Sequence, residues 1–375
     1  MPASLDHLAP SQNSSRFSIT QAKSLIKGLS QPNAVIYWTD FIATILVGHA
    51  AFGILVRAQQ LTGLSGVELW SLRLILFAVI CVLYMRATMF IHELVHLPKD
   101  GFRGFRFAWN LLCGIPFLIP SFMYYPHIDH HRRKHYGTDR DGEYLDLSHR
   151  HPATVLLFLA AAFIVPLAAF IRFAFMSPIA WCFPGFRGWV ERHASSMVVD
   201  VFYLRGDFGA RAHRTMILQE IACFAWCGVL VLRAPIMSGQ IIDGFLPQAY
   251  AVSVMLILIN NVRTLGAHRW LGDGRELSFE EQLLDSVNYP YRPWITELWG
   301  PVGTRYHALH HLFPSIPYHN LGAAHRRLMA GLPSNSLYRE TLRVTLLGTI
   351  LELWQRAAHR DGRNVAKDKS ASVAA

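Results

Sequence analysis

Residues 126–135 read PHIDHHRRKH. On one helical turn His127, His130 and His131 fall at i, i+3 and i+4 and so project from one face, where three imidazoles can converge on a metal ion. The H-x-x-H-H spacing returns at His307, His310 and His311 in HALHH, and a looser H-x-x-x-H stands upstream at His92 and His96 in HELVH. Each cluster closes an apolar segment. A lone histidine is ordinarily a packed or surface residue, but that account does not produce three clusters of related geometry.

The clusters supply eight histidines, too many for one ion and suited to two metals with open positions. A closed structural zinc site uses about four ligands, commonly with cysteine. An open two-metal site beside lipid suits redox chemistry on a lipid chain, and iron with O2 is the usual means of attacking an unactivated C–H bond.

Composition places the site in a membrane. Of 375 residues 52% are hydrophobic and only 16% charged, which is not the balance of a soluble protein. The net charge of +10 lies between apolar segments rather than in one patch with interleaved aromatics, so positive-inside loops explain it and nucleic acid is not an expected partner. Cys81, Cys113, Cys182, Cys223 and Cys227 fall mainly in apolar stretches and form no C-x-x-C pair. They read as packing residues.

Residues 1–33 form a polar segment without the apolar stretch of a signal peptide, expected on the cytoplasmic side. Ala34 to Val56 and Leu69 to Ile91 are long enough to cross a hydrocarbon core of about 30 Å. Phe105 to Tyr125 is broken by Pro116 and Pro120 and reads as a shallow re-entrant segment whose free backbone groups must be met by protein. Three further apolar runs follow, Ala153 to Phe175, Ile217 to Leu232 and Phe245 to Asn261. Three crossings would leave the last cluster on the wrong face, and Ala153 to Phe175 carries Pro166, so this run is expected to be a hairpin. Arg187, Arg192, Arg205, Arg211 and Arg214 then share the cytoplasmic side, against Arg233 alone opposite.

The expected fold is all-α and integral to the membrane: four transmembrane helices, re-entrant or interfacial helices, and a cytoplasmic histidine-rich cap. Residues 34–330 form the main domain. An amphipathic helix over 331–358 carries Leu342, Leu346, Ile350 and Leu353 at helical spacing, and 359–375 reads as a disordered tail.

Carboxylates complete the pattern. Asp139, Asp141 and Glu143 in TDRDGEYL are placed to orient ligand imidazoles, and Glu93, Asp129 and Asp285 are candidates to offset the charge of two divalent ions. HELVH also reads as H-E-x-x-H, the zinc-protease pattern with Glu93 as base. That reading lacks a third ligand in another span and leaves two clusters idle.

The three clusters, in their order and spacing, and HHLFPSIPYHNLGAAHRRL after the third resemble the membrane fatty acid desaturases from roughly Ala34 to Leu328. The resemblance implies a non-haem di-iron centre on the cytoplasmic side, in a bacterium of the inner membrane, with two Fe ions and O2 as co-substrate. The eight box histidines and a ninth, His268 in RTLGAHRW, would hold it. One branch of the family has an asparagine four residues before the ninth histidine; here Thr264 stands there and Asn261 is the substitute. His135 and His319 are candidates to touch ligands from outside. The implied activity is oxygen-dependent desaturation of a fatty acyl chain, the substrate being a lipid or acyl carrier. Lipid hydroxylases and carotenoid hydroxylases or ketolases share the boxes and form the alternative. No H-P-G-G segment marks a fused cytochrome, so a separate electron donor, a ferredoxin, rubredoxin or cytochrome with its reductase, is implied.

Overall fold

A computed structural model describes residues 17–98, 101–207, 209–237 and 244–373. Its frame is four long helices, α1 (Ala34–Val56), α2 (Gly66–His96), α3 (Ala210–Met237) and α4 (Phe245–Ala267). The shortest have 23 residues, about 35 Å at 1.5 Å per residue, enough to cross a bilayer core. Asn33 caps α1 by accepting from the Val35 amide at 3.0 Å, satisfying one of the free amides of the first turn. Helices α1 and α2 pack through Tyr37, Phe41 and Ile45 against Ile80, Tyr84 and Phe90. Gly48 permits this approach, because a Cβ there would lie 2.6 Å from the Tyr84 ring. The outward faces carry exposed Leu46, Leu74, Ile75 and Leu218, a surface suited to lipid and costly in water. Polar groups inside the spans are paired: the Arg86 Nε donates to Asp40 at 2.7 Å and the Tyr318 hydroxyl donates to the same carboxylate at 2.7 Å.

Phe105 to Tyr125 enters and returns. Its first arm, Arg103–Trp109, continues as a π-turn over Asn110–Gly114, and its second returns through a 3-10 turn at Ser121–Tyr124. Asn110 ties the arms, accepting from the Ser121 amide at 2.8 Å and donating to the Ser121 hydroxyl at 3.0 Å. The Trp226 indole from α3 donates to the Pro116 carbonyl at 3.0 Å. Backbone groups that neither helix nor water can satisfy in lipid are met by neighbouring side chains.

The second apolar hairpin differs in detail from expectation. By length and composition five helices among the described residues can cross a membrane, and the additional one is Val165–Cys182, which begins within the run read as a hairpin and extends past its end. Pro166 does not break a helix there; it sits in the first turn of a new helical piece, where its missing N–H is harmless. The contacts nevertheless return the chain to its starting side. Asn261 Nδ2 donates to the Phe158 carbonyl at 2.8 Å and the Tyr250 hydroxyl to the Phe163 carbonyl at 2.8 Å, so the first arm descends along α4 from its C-terminal end. On the way back Arg172 meets Ser177 Oγ at 2.6 Å and forms an ion pair with Glu220 in the first half of α3. His96, which ends α2, and His268, which follows α4, lie in two adjoining groups of histidines that meet where His131 stacks on His311. Helices α3 and α4 supply two crossings between them, and a third would separate the two residues.

Past α4 the chain folds over the histidines. Among the described residues no strand forms, only isolated bridges, His268 to Ser286 and Asn288 to both Tyr306 and Leu342. Asn288 is the hub: its Nδ2 donates to Thr341 Oγ1 at 2.9 Å and its Oδ1 accepts from the Leu309 amide at 3.1 Å. The amphipathic segment expected over 331–358 is therefore two helices, Leu337–Glu340 and Leu346–Val373, parted where the backbone pairs with Asn288. The second runs on through the tail expected to be disordered, a stretch without proline and rich in helix formers; its last two residues, and its side chains from 360 onward, lie outside the described residues. The N-terminal segment is not separate either. From residue 17, where description begins, it forms Ile19–Leu25, whose Ala22 packs with Leu321 and Leu328 of Tyr318–Gly331. The Arg233 side chain also lies outside the described residues.

This topology is testable by labelling. In a Cys182→Ser background, which removes the one exposed cysteine, Gln60→Cys and Phe202→Cys should react with an impermeant thiol reagent from opposite sides of the membrane. Reaction of both from the same side would mean that Val165–Cys182 crosses completely.

Candidate metal centre

The boxes sit on the ends of rigid elements. His92 and His96 occupy the last turns of α2. Pro126 opens the single turn His127–His130, and the third box forms His307–Leu312. His268 is the first residue past α4, in extended conformation. The nine histidines form two groups, His92, His96, His127, His131 and His310, and His130, His268, His307 and His311, in each of which the ligand atoms lie within 4.8 Å of one another. The groups adjoin, with the His131 and His311 rings stacked at 4.4 Å.

The Nε2 atoms face inward. His310 Nε2 lies 3.1 Å from His96 Nε2 and 3.1 Å from His131 Nε2, and His131 Nε2 lies 2.9 Å from His127 Nε2. In the second group His307 Nε2 lies 2.8 Å from His268 Nε2 and 3.0 Å from His311 Nε2. Nitrogens about 2.1 Å from one ion and at right angles would be about 3 Å apart, so the spacing fits coordination. Buried His92 has no hydrogen-bond partner for either ring nitrogen, and His131 and His310 none for Nδ1, among the described residues. An unmet buried polar atom costs about 1–3 kcal/mol, and a cation at the focus would engage inward Nε2 lone pairs.

Carboxylates fix several rings from behind. Glu143 Oε1 meets His127 Nδ1 at 2.8 Å, Asp141 Oδ2 meets His130 Nδ1 at 2.8 Å, and Asp285 Oδ2 lies 3.4 Å from His268 Nδ1. Tyr136 joins the last pair, its hydroxyl 2.8 Å from His268 Nδ1 and donating to Asp285 at 2.6 Å. A carboxylate at Nδ1 holds the proton there and leaves the Nε2 lone pair for a metal. Burial, reinforced by neighbouring imidazoles, pushes His127, His131, His307, His310 and His311 well below the usual histidine range, so these rings are neutral near pH 7. Burial opposes charge on His130 too, but Asp141 outweighs it and raises that group. Burial pushes the Glu143 carboxyl up to about 7, against the pull of His130.

Gly142 stands between Asp141 and Glu143. Its carbonyl accepts from the Val199 and Asp200 amides at 2.7 and 3.0 Å, and a Cβ would lie 2.5 Å from Val198 Cγ1. The segment after Ser195 thus braces the loop that carries both carboxylates.

All nine histidines named from the sequence come together, and Asp285, Asp141 and Glu143 each touch one. The others do not. Glu93 accepts from the Tyr37 hydroxyl and, at 3.1 Å, from the Tyr318 amide, and lies 4.0 Å from His92 Nδ1. It is next to His92 on a helix and so points away from it, committed to a structural bond rather than poised as a base. Asp129 binds Arg132 at 2.6 Å and lies 3.3 Å from His135; with Asp139 they line an outer cavity of about 470 Å³. Asn261 is used on the Phe158 carbonyl, and His319 Nε2 accepts from the Asn33 amide at 3.1 Å. Sequence reasoning missed Tyr136, and Tyr124, which stacks on His127 at 4.7 Å and donates to Glu143 at 3.3 Å. Their only signal is nearness to the second box.

The family described as "Fatty acid desaturase" matches residues 68–342. A ceramide hydroxylase of Caulobacter vibrioides (strain NA1000 / CB15N) is 36% identical over 352 residues, covering 93% of this chain and 97% of the relative. No solved structure gives a significant match. The chain belongs to the fatty acid desaturase family.

His130→Ala, His268→Ala and His310→Ala should each lower the bound metal of purified protein. Asp141→Asn and Asp285→Asn should weaken metal retention roughly 10- to 100-fold in chelator competition, and Asp129→Asn should leave it unchanged. Equal loss in Asp129→Asn and Asp141→Asn would assign the orienting role to the wrong carboxylates.

Proposed function

We propose that this member of the fatty acid desaturase family is an oxygen-dependent lipid hydroxylase acting on a ceramide-like, amide-linked lipid. The nine imidazoles would hold two iron ions, which when bound supply the oxidising power to cleave a C–H bond. In the balanced reaction one atom of O2 enters the C–H bond and the other leaves as water, consuming two electrons and two protons. The convergence of nine histidines in two adjoining groups carries the oxidative reading. Similarity to a ceramide hydroxylase over 93% of this chain favours hydroxylation over the desaturation that the box pattern put first.

The protein's own groups have definable tasks. Glu143, Asp141 and Asp285 keep Nε2 of His127, His130 and His268 turned inward, and burial keeps most of the remaining rings neutral. The cap over the ends of α2 and α4 excludes water, so a bound cation is met by imidazole rather than by solvent. Because the site adjoins the ends of apolar helices, its substrate arrives from the bilayer. Electrons come from a separate ferredoxin, rubredoxin or cytochrome with its reductase. Exposed Arg132, Arg133, Lys134 and Arg140 beside the second box suit an acidic donor. The arginine-rich stretch 187–214 shares the histidine side, which supports a cytoplasmic site in a bacterial inner membrane.

The test is mass spectrometry of lipids from cells expressing the chain, supplied with ceramide and grown under ¹⁸O2. A product carrying one labelled oxygen, absent in His310→Ala cells, is expected. A product short of two hydrogens and free of label would replace the hydroxylase by the desaturase.

A further inference from the structure

Arg263 lies five residues before His268, near the C-terminal end of α4. Val252, Met255, Leu256 and Ile259 on that helix pack into the core built by α1 and α2, and position 263 continues this face one turn beyond Ile259. The opposite face is taken up by the hairpin, through Asn261 and Leu265. Arg263 is thereby turned toward the end of α2, where His92 stands. Its charge is felt by His92 and His307, one from each histidine group, and by Glu143 and Tyr124.

What holds this guanidinium is unlike what holds the other inner arginines. Arg86 joins Asp40 to Glu297, Arg172 joins Ser177 to Ser195 and Glu220, and Arg305 joins Glu297 to Thr296. Each ties separate elements together. Arg263 bonds only within its own helix, to Asn260 Oδ1 at 3.0 Å and Thr264 Oγ1 at 3.2 Å, and among the described residues no carboxylate lies within ion-pair distance. It therefore contributes no link between elements. Arg263, Tyr124 and Glu143 are each only partly buried, so the guanidinium keeps surface that the protein does not cover.

A guanidinium carries five N–H donors, and leaving one next to hydrocarbon inside a membrane helix is costly. A purely aliphatic chain would strip its water and return nothing. A carbonyl oxygen would satisfy it. We propose that Arg263 binds the amide carbonyl of the lipid substrate, so that oxidation falls within a few bonds of the polar group and the apolar remainder runs back along Ile259, Leu256 and Met255. Arg263 is then the residue that anchors the polar end of the lipid and sets the position of attack. This rests on the lipid-oxidising reading of the centre.

The test compares wild type, Arg263→Met and Arg263→Lys, purified in detergent with bound metal and thermal midpoint checked first. Binding of a hexanoyl ceramide and of an alkane of equal length is measured by calorimetry, and the site of modification by tandem mass spectrometry. Arg263→Met should keep its metal and midpoint, bind the ceramide roughly 10- to 100-fold more weakly, as for a lost charged hydrogen bond, and scatter the modified position. Arg263→Lys should recover part of the affinity. Equal ceramide affinity in wild type and Arg263→Met would overturn the proposal, as would a wild-type modification far down the chain. A mid-chain hydroxyl would sink the Arg263 role and leave the hydroxylase standing. A double bond beside the amide, lost in Arg263→Met, would do the reverse.

Discussion

Nine imidazoles crowd together and seven of them aim Nε2 at one another, and the fold is arranged around making that tolerable. Facing Nε2 lone pairs repel unless a proton or a cation lies between them, and His310 Nε2, about equally near two others, cannot be served by one proton. Such an arrangement survives only on rigid supports. The histidines accordingly hang from the end of α2, the exit of α4 and two short turns pinned by Pro126 and by the Asn288 hub, not from free loops. The same demand dictates the number of crossings, because ligands on opposite faces of a bilayer could never meet.

Charge is the second half of that constraint. Neutral ligands would leave the four positive charges of two bound divalent ions unbalanced. Asp141, Glu143 and Asp285, each set behind a ligand ring, place three carboxyl groups close by while leaving the Nε2 positions free. Tyr136 couples the halves, since a residue from the second-box loop binds both His268 and its carboxylate. Neither histidine group is built from one region of the chain, so neither can form alone.

Much of this was legible in the sequence because it depends on local spacing and on parity. The box histidines announce themselves by i, i+3 and i+4 offsets, and the hairpins by prolines and by the side on which the next cluster must emerge. Asp141 and Glu143 were accessible for the same reason, lying one short turn from the rings they hold. Asp129, equally close in sequence, was misleading: a helical turn swings it outward to Arg132, a direction that residue type does not reveal. Asn261 and His319 failed similarly, each claimed by a backbone group more than a hundred residues away. Long-range partners of this sort, with the break at Asn288 and the return arm that is itself long enough to span, are settled by tertiary packing.

The packing of Ile19–Leu25 beneath Tyr318–Gly331 also fixes when the centre can close. Gln21 bonds to the carbonyl of Gly331, 310 residues later, and Asn33 and Glu93 likewise wait for His319 and Tyr318. At roughly 5–20 residues per second of synthesis, the first box emerges many seconds before the third exists. During that interval His92 and His96, and then His127, His130 and His131, stand open to whatever metal the cell presents. The complete set of nine imidazoles therefore exists only once the last helices dock, so any ion the centre takes meets all of its ligands only from that moment.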